Sequence, residues 1–338
     1  MERPSAGSLG GHRTSILHAL LCMAGACVWS LGYAEIVGEP GPPRDEVSNM
    51  GDSLKEVRAK GFDALTLATS LLQRARLADP VAGVWEAADV QWWWRRPKRS
   101  DEVEQLFWLD DDGPVAGILL TSSADDSWQC DPVVVPVVSG LEPDVVWSRA
   151  LEHAAEHAST GFAVPVSDDG VYEEVARRSG LSPDYRDSTG WMDAPDRPAV
   201  SAAADGFFLS DRTQRLDVPH HMRDRSGDSV QQRLEQCSLY DPGLDLVVET
   251  TEGRVAGYSL YWFDPTTKVG LVEPVRVEDE FQRRGLASAM LTAGIDRLVA
   301  RGAERVKISY GSEAAAGTYQ GVGFQPTSTT TWYRQSAG

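Results

Sequence analysis

Gly270-Leu-Val-Glu-Pro-Val-Arg-Val277 is followed by Glu278-Asp-Glu280 and then by Phe281-Gln-Arg-Arg-Gly-Leu-Ala-Ser288. The first run is mostly apolar and β-branched, which predicts a strand. The acidic triplet is a turn. The Leu-, Ala- and Met-rich run that follows predicts a helix over Gly285–Arg301. The loop between them therefore lies between a strand end and a helix N-terminus, where free backbone N–H groups and the helix dipole both favour an anion. Gly285 supplies torsions that other residues avoid and allows a close backbone approach. Ala287 keeps the next turn small, and Arg283 and Arg284 add positive charge. The three glycines of G-x-G-x-x-G are missing, and no Gly-Lys-Ser/Thr is present, so neither dinucleotide nor P-loop binding is indicated.

The pattern Gln282-x-x-Gly285-x-Ala287 resembles the pyrophosphate loop of the GNAT superfamily of N-acetyltransferases, Gln/Arg-x-x-Gly-x-Gly/Ala. About thirty residues on, Tyr319-x-x-x-Gly323-Phe324 resembles the Tyr-x-x-x-Gly-Phe signature of the same superfamily. The resemblance covers 206–334 and is strongest over 269–326. One departure stands out: Ser312-Glu313 occupies the place where many relatives carry an Asn.

The resemblance implies an α/β (α+β) fold with a mixed, mostly antiparallel central sheet flanked by helices, and acetyl-CoA as co-substrate without a metal. The strand bearing Val275, Arg276 and Val277 would splay from its neighbour and pair with the pantetheine arm as an added strand does. Backbone N–H groups from Gln282, Arg283, Arg284, Gly285, Leu286, Ala287 and Ser288 would hold the pyrophosphate. An N–H near Val275 would stabilise the oxyanion. Tyr319 would sit near the sulfur as a general acid, the alternative being a tyrosine that packs its helix on the sheet. Glu273 stands two residues before Val275, so that the two side chains would share a face; it is either the base that takes the amine proton or a solvated glutamate. Pro274 lacks an N–H and suits a strand edge or bulge.

Upstream and downstream of this segment the elements come in a repeating order. Ser53–Ala78 is predicted helical. Strands follow at Gln105–Leu109, Val115–Thr121 and Trp128–Val135, then a helix at Pro143–Ala158, a strand at Phe162–Val166 and a helix at Tyr172–Ser179 closed by Gly180. Residues 193–204 form a Pro- and Ala-rich linker. The order then recurs: strands at Gly206–Leu209, Asp245–Thr250, Val255–Phe263 and Gly270–Val277, a strand at Arg305–Tyr310, a helix at Ala314–Gly321 and an extended tail at Gly323–Arg334. The segments starting at Tyr172 and at Tyr319 are also alike, and the whole reads as a tandem duplication of one α/β unit. The expected boundaries are a first GNAT-like unit at 50–193, a linker at 194–205 and an acetyl-CoA-binding unit at 206–338. The first unit has no Gln/Arg-x-x-Gly-x-Gly/Ala before its helix at Pro143, so its cofactor site is expected to be degenerate.

The 338 residues, 42% hydrophobic, suffice for two cores. With 32 basic against 50 acidic side chains the formal net charge is −18, which argues against generic nucleic-acid binding. Four scattered cysteines match no zinc pattern. Residues 1–49 carry a basic, apolar and small-residue order like a signal peptide. His18 interrupts it, Met50 offers a second start, and dependence on acetyl-CoA implies a cytoplasmic protein; an N-terminal extension or a start placed too early is expected, and no membrane association.

His153 and His157 lie four apart on a helix, without the His-Glu-x-x-His signature, and are expected on a solvated face. His220 and His221 are expected in an exposed loop or near an acceptor pocket. Trp92, Trp93 and Trp94 are adjacent, followed by Arg95 and Arg96; they are assigned to core or interdomain packing, the alternative being that some line a pocket.

The expected activity is acetyl transfer from acetyl-CoA to a primary amine, on a small molecule or a protein, by direct attack in a ternary complex; a homodimer is compatible with it. Two alternatives stand beside it: an acyl-CoA-binding regulatory module without turnover, and a small-molecule acetyltransferase of the mycothiol-synthase type, which shares the tandem layout. The acceptor-contacting regions offer no match to the latter.

Overall fold

The computed structural model describes residues 54–123, 127–136, 141–168 and 172–335. The reading of 1–49 and part of the loop before Pro143 lie outside the described residues. The first half runs β1 (Lys55–Ala59), α1 (Gly61–Ala78), α2 (Ala87–Trp94), β2 (Gln105–Asp110), β3 (Gly113–Ser122), β4 (Trp128–Val134), α3 (Pro143–His157), β5 (Phe162–Ser167), α4 (Glu173–Arg178) and β6 (Ser182–Asp193). The second half runs β7 (Phe207–Asp211), α5 (Arg223–Ser226), α6 (Val230–Glu235), β8 (Asp245–Thr250), β9 (Val255–Asp264), β10 (Val269–Val277), α7 (Leu286–Ala300), β11 (Arg305–Tyr310), α8 (Glu313–Gly321) and β12 (Gln325–Arg334).

The expected mixed, mostly antiparallel sheet flanked by helices is present, but as one sheet instead of two. Its twelve strands are ordered β1-β2-β3-β4-β5-β12-β6-β11-β10-β9-β8-β7. Neighbours run antiparallel except β4–β5 and β10–β11. The last strand of each half leaves its own half: β12 pairs with β5, and β6 pairs with β11. The two exchanged strands then pair antiparallel with each other from Gln325↔Trp191 to Arg334↔Ser182. Two equivalent strands running antiparallel at the centre give the sheet an internal two-fold arrangement.

One helix expectation is corrected. Lys55–Ala59 is an edge strand paired with Gln105–Leu109, not the start of α1. Its residues are ordinary helix formers, and the ladder with β2 outweighs that weak preference. Gly61, at φ +58°, then turns the chain into α1.

Three of the four apolar clusters among the described residues are large; the fourth lies around Phe281, Leu286 and Met290. One lies under α3 and is built on Ile118, Trp128, Trp147 and Phe162. A second lies under α7, on Val272, Leu291, Ile295, Val306 and Phe324. The third joins the halves: Leu71, Leu72 and Trp92 from α1 and α2 pack with Leu234, Tyr258, Trp262 and Leu271. An ion cluster lies across the same boundary. Glu86 accepts from Arg76 Nε at 3.0 Å and from Lys307 Nζ at 2.9 Å, with both cations almost wholly buried. Burial alone would raise the Glu86 pKa, but Lys307 and Arg76 hold it below the usual carboxylate value.

Candidate functional site

β10 and β11 are paired only from Val269↔Arg305 to Leu271↔Lys307. Beyond Leu271 they part, and β10 continues to Val277 bonded to β9 alone. The strand carries a bulge between Val272 and Val275, at Glu273 and Pro274, whose peptide bond is cis. A proline there costs the ladder no hydrogen bond. Beyond the bulge, Glu278 N–H donates to Ala256 O at 2.9 Å on the β9 side. Successive N–H groups along a strand alternate sides, so those of Val275 and Val277 face away from β9, into the wedge left by β11.

Glu273 and Val275 do not share a face, contrary to the alternation expected. Val275 packs with the cores under α7, whereas Glu273 faces α2, where the Trp92 indole donates to its carboxylate and the Arg95 guanidinium stands close. The bulge inserts a residue and reverses the parity. Burial pushes the Glu273 pKa up to about 7, against the pull of Arg95 and Trp92. Trp262 Nε1 fixes the backbone by donating to Glu273 O at 2.9 Å.

The loop after β10 is held by its own side chains. Arg276 Nη2 reaches Glu278 at 3.3 Å and Asp279 at 3.2 Å. Gln282 Nε2 donates to Asp279 at 3.1 Å and to Val277 O at 3.4 Å. Arg284 lies over Phe207 and Phe281, 5.8 Å from each ring centre. Arg283 and Gly285 both have positive φ, +60° and +75°. Ala289 N–H makes the first bond of α7, to Gly285 O at 3.0 Å, and no side chain caps the helix. The N–H groups of Leu286, Ala287 and Ser288 precede that bond and have no partner among the described residues, which is the donor set an anion takes. A Cβ built on Gly285 would project into open space, so the glycine is required by its left-handed torsion and not by close packing.

Tyr319, on α8, is half-buried against Tyr310 and Phe324, with ring centres at 5.5 and 6.4 Å. Burial, reinforced by the negative charge of Glu273, pushes its hydroxyl up to about 12. Of the two expected acid–base groups, Glu273 lies on the α2 side of β10 and Tyr319 lies on α8 against Tyr310 and Phe324. One is poised near neutrality and the other is firmly protonated.

The first half also parts its strands, but its β3–β4 ladder runs through Asp131 and Pro132 without a bulge. Its β4–β5 ladder stops after Gln129↔Ala163, and the strands part. The wedge opens into a cavity of about 400 Å³ lined by Val133, Val135, Leu141, Pro143 and Pro165. Asp131-Pro-Val133 stands where the second half has Glu273-Pro-Val275. Asp131 accepts from Trp85 Nε1 at 2.8 Å and from Gln129, and burial pushes it up to about 7. The acid-Pro-Val-x-Val repeat was a readable signal of this equivalence.

Three histidine expectations are corrected. His153 is fully buried, bonded to Glu104 O at 2.7 Å and set edge-on to His157, so that side of α3 is core. His220 and His221 are buried, not loop-exposed. His220 Nδ1 accepts the Met222 N–H, so Nε2 carries the proton and donates to Asp245 Oδ2 at 2.9 Å. His221 Nε2 lies 2.9 Å from the other oxygen, and Tyr240 donates to Asp245 as well. The adjacent tryptophans divide along α2: Trp92 is core, while Trp93 and Trp94 are half-buried beside it.

Residues 211–324 match the family model of the Acetyltransferase (GNAT) family. The match covers 114 residues, about a third of the chain. It contains the bulged strand, the loop Gln282–Ala287 and Tyr319–Phe324. A mycothiol acetyltransferase of Clavibacter michiganensis is 30% identical over 99 residues, 29% of this chain and 32% of the relative, so the match spans about a third of that relative's length. A tandem GNAT protein of the clavulanic acid biosynthesis pathway superposes with a TM-score of 0.60 at 15% identity, covering 84% of this chain and 99% of the other. A GCN5-related N-acetyltransferase of Sphaerobacter thermophilus superposes with a TM-score of 0.53 at 16% identity, covering 83% and 95%. At these identities the two structures bear on the fold alone. No helix among the described residues is long and apolar enough to cross a membrane.

Proposed function

We propose that the second half is a GNAT domain that moves an acetyl group from acetyl-CoA to a primary amine by direct attack in a ternary complex. The observation that carries this reading is the parting of β10 from β11 beyond Leu271, next to a helix start at Gly285 that no side chain caps. The residues suit the co-substrate: unpartnered N–H groups at Leu286–Ser288 for its pyrophosphate, an open space at Gly285, and a free strand edge at Val275 and Val277 for its pantetheine amides.

Glu273, with a pKa raised to about 7, accepts a proton from the ammonium form of the acceptor and frees the nitrogen lone pair. That lone pair attacks the thioester carbonyl, and a backbone N–H near Val275 stabilises the oxyanion. Collapse breaks the C–S bond. Tyr319 donates its proton to the departing thiolate, whose conjugate acid has a pKa of about 8.5 by analogy with cysteine. The first half, without a matching anion loop in its sequence, supports the site by supplying α2, whose Trp92 and the adjoining Arg95 stand against Glu273.

The test is a panel of amines incubated with acetyl-CoA and a few longer acyl-CoAs, with thiol release as the readout. The expected result is amine-dependent release. Acetyl-CoA binding without release for any amine would favour a sensing module, and no binding at all would remove both readings.

A further inference from the structure

The segment Trp92-Trp-Trp-Arg-Arg-Pro-Lys98 leaves α2 and lines a cavity of about 270 Å³ between the two halves. Arg95, Arg96 and Lys98 face it. None of the three makes a salt bridge within 4 Å among the described residues, although the Glu273 carboxylate stands near Arg95. The chain carries a net charge of −18, so a concave surface with three such cations is against the average. Arg95 stacks on Trp92, 3.5 Å from the ring centre, and its Nε is buried without a hydrogen-bond partner. A buried guanidinium N–H without an acceptor is costly unless a ligand supplies one.

The far wall is aromatic. Trp332 of β12 and Tyr185 of β6 stack with ring centres 5.1 Å apart and planes 13° from parallel. Both come from the exchanged strands, so both halves build the cavity. Its volume falls near the lower end of small-molecule sites, roughly 300 Å³ upward, which suits a small molecule better than a protein segment. Glu273 stands behind this wall: the Trp92 indole that donates to its carboxylate lines the cavity.

Resting on the acetyltransferase reading above, we propose that the acceptor is a small amine that also carries a carboxylate or phosphate group, held by Arg95, Arg96 and Lys98 in this cavity while its amine is directed towards Glu273. Arginine forks and a lysine ammonium are the usual partners of both anions. Burial, with the like charges of Arg95 and Arg96, pulls Lys98 down to about 7, and a bound anion would relieve that crowding.

The test uses matched acceptors that differ only in the anion: an α-amino acid against its carboxamide, and an amino sugar against its phosphate ester. The anionic member should show a kcat/KM at least roughly tenfold above the neutral one, as expected for a charge-assisted contact. In the double variant Arg96→Gln, Lys98→Met that preference should collapse, mainly through the acceptor KM, and Arg96→Lys should restore part of it. The pair showing the larger preference separates carboxylate from phosphate acceptors. Equal use of both members, or a preference that survives in the double variant, overturns the proposal. If no amine supports turnover, calorimetry with the anionic molecules alone still decides: heat that vanishes in the double variant supports the cavity, and no heat with the folded wild type rejects it.

Discussion

Lys307 Nζ, on β11 of the second half, donates to Glu86 Oε1 of the first half at 2.9 Å, in a setting where both side chains are almost wholly buried. Arg76 shares the same carboxylate. Replacing Glu86 with Ala leaves two buried cations without a partner and should cost about 3–5 kcal/mol in urea unfolding. The Lys307→Met variant keeps the Arg76–Glu86 pair and should lose less. Because the folded Glu86 pKa is depressed, its stabilising contribution is present above the unfolded value of about 4.3 and fades as pH falls through the folded one. Equal losses in the two variants would show that the triad does not act as described.

Glu273 carries a pKa of about 7, and its base form is the one proposed to act. The rate kcat/KM should therefore rise with pH through about 7 before levelling. Glu273→Gln should lower kcat about a hundredfold or more and abolish that limb. A rising limb that persists in the glutamine variant would assign the titration to another group.

The Tyr319→Phe change removes a hydroxyl and leaves the ring contacts with Tyr310 and Phe324. Acetyl-CoA affinity by calorimetry should stay within about twofold, while turnover should fall by about a hundredfold, the scale of a lost general acid. Unchanged turnover would reduce Tyr319 to a packing residue.

Gly285 sits at φ +75° with open space where a Cβ would stand. Gly285→Val should fold, at a strain cost of about 1–3 kcal/mol. It should lose acetyl-CoA binding, because the side chain enters the space in front of the helix N–H groups. Wild-type affinity in a folded Gly285→Val protein would place the pyrophosphate elsewhere.

Local patterns made most of the elements legible, and with them the strand–loop–helix setting of Gln282–Ala287. The span Asp245–Thr250 is a strand because its apolar run is bounded by turn residues, and Gln282–Ala287 lies between a strand and a helix as its composition indicates. Pairing partners were not legible. Nothing local to Ser182–Asp193 or Gln325–Arg334 says that each strand completes the other half's ladder, since hydrogen-bond partners across a sheet are chosen by tertiary fit. The face of Glu273 was misread because a bulge at Pro274 breaks the period-two rule on which the reading depended. His220 and His221 looked exposed because their sequence neighbours are polar; Asp245, which buries them, is 25 positions from His220 in the chain. The cationic run at Arg95 and Arg96 was visible, but only the fold brings it to Glu273.

The exchange of β6 and β12 also bears on how the protein comes into being. β12 comes last in chain order among the described strands, yet it occupies the sixth place in the sheet, between β5 and β6. Until it arrives, β5 keeps an open edge, and the first half waits unfinished while the second is synthesised. A nick in the connection at 197–206 would not release two pieces, because each piece would still be woven into the other through its final strand. The two halves are interlocked lobes rather than beads on a string, and neither is a natural unit for expression alone.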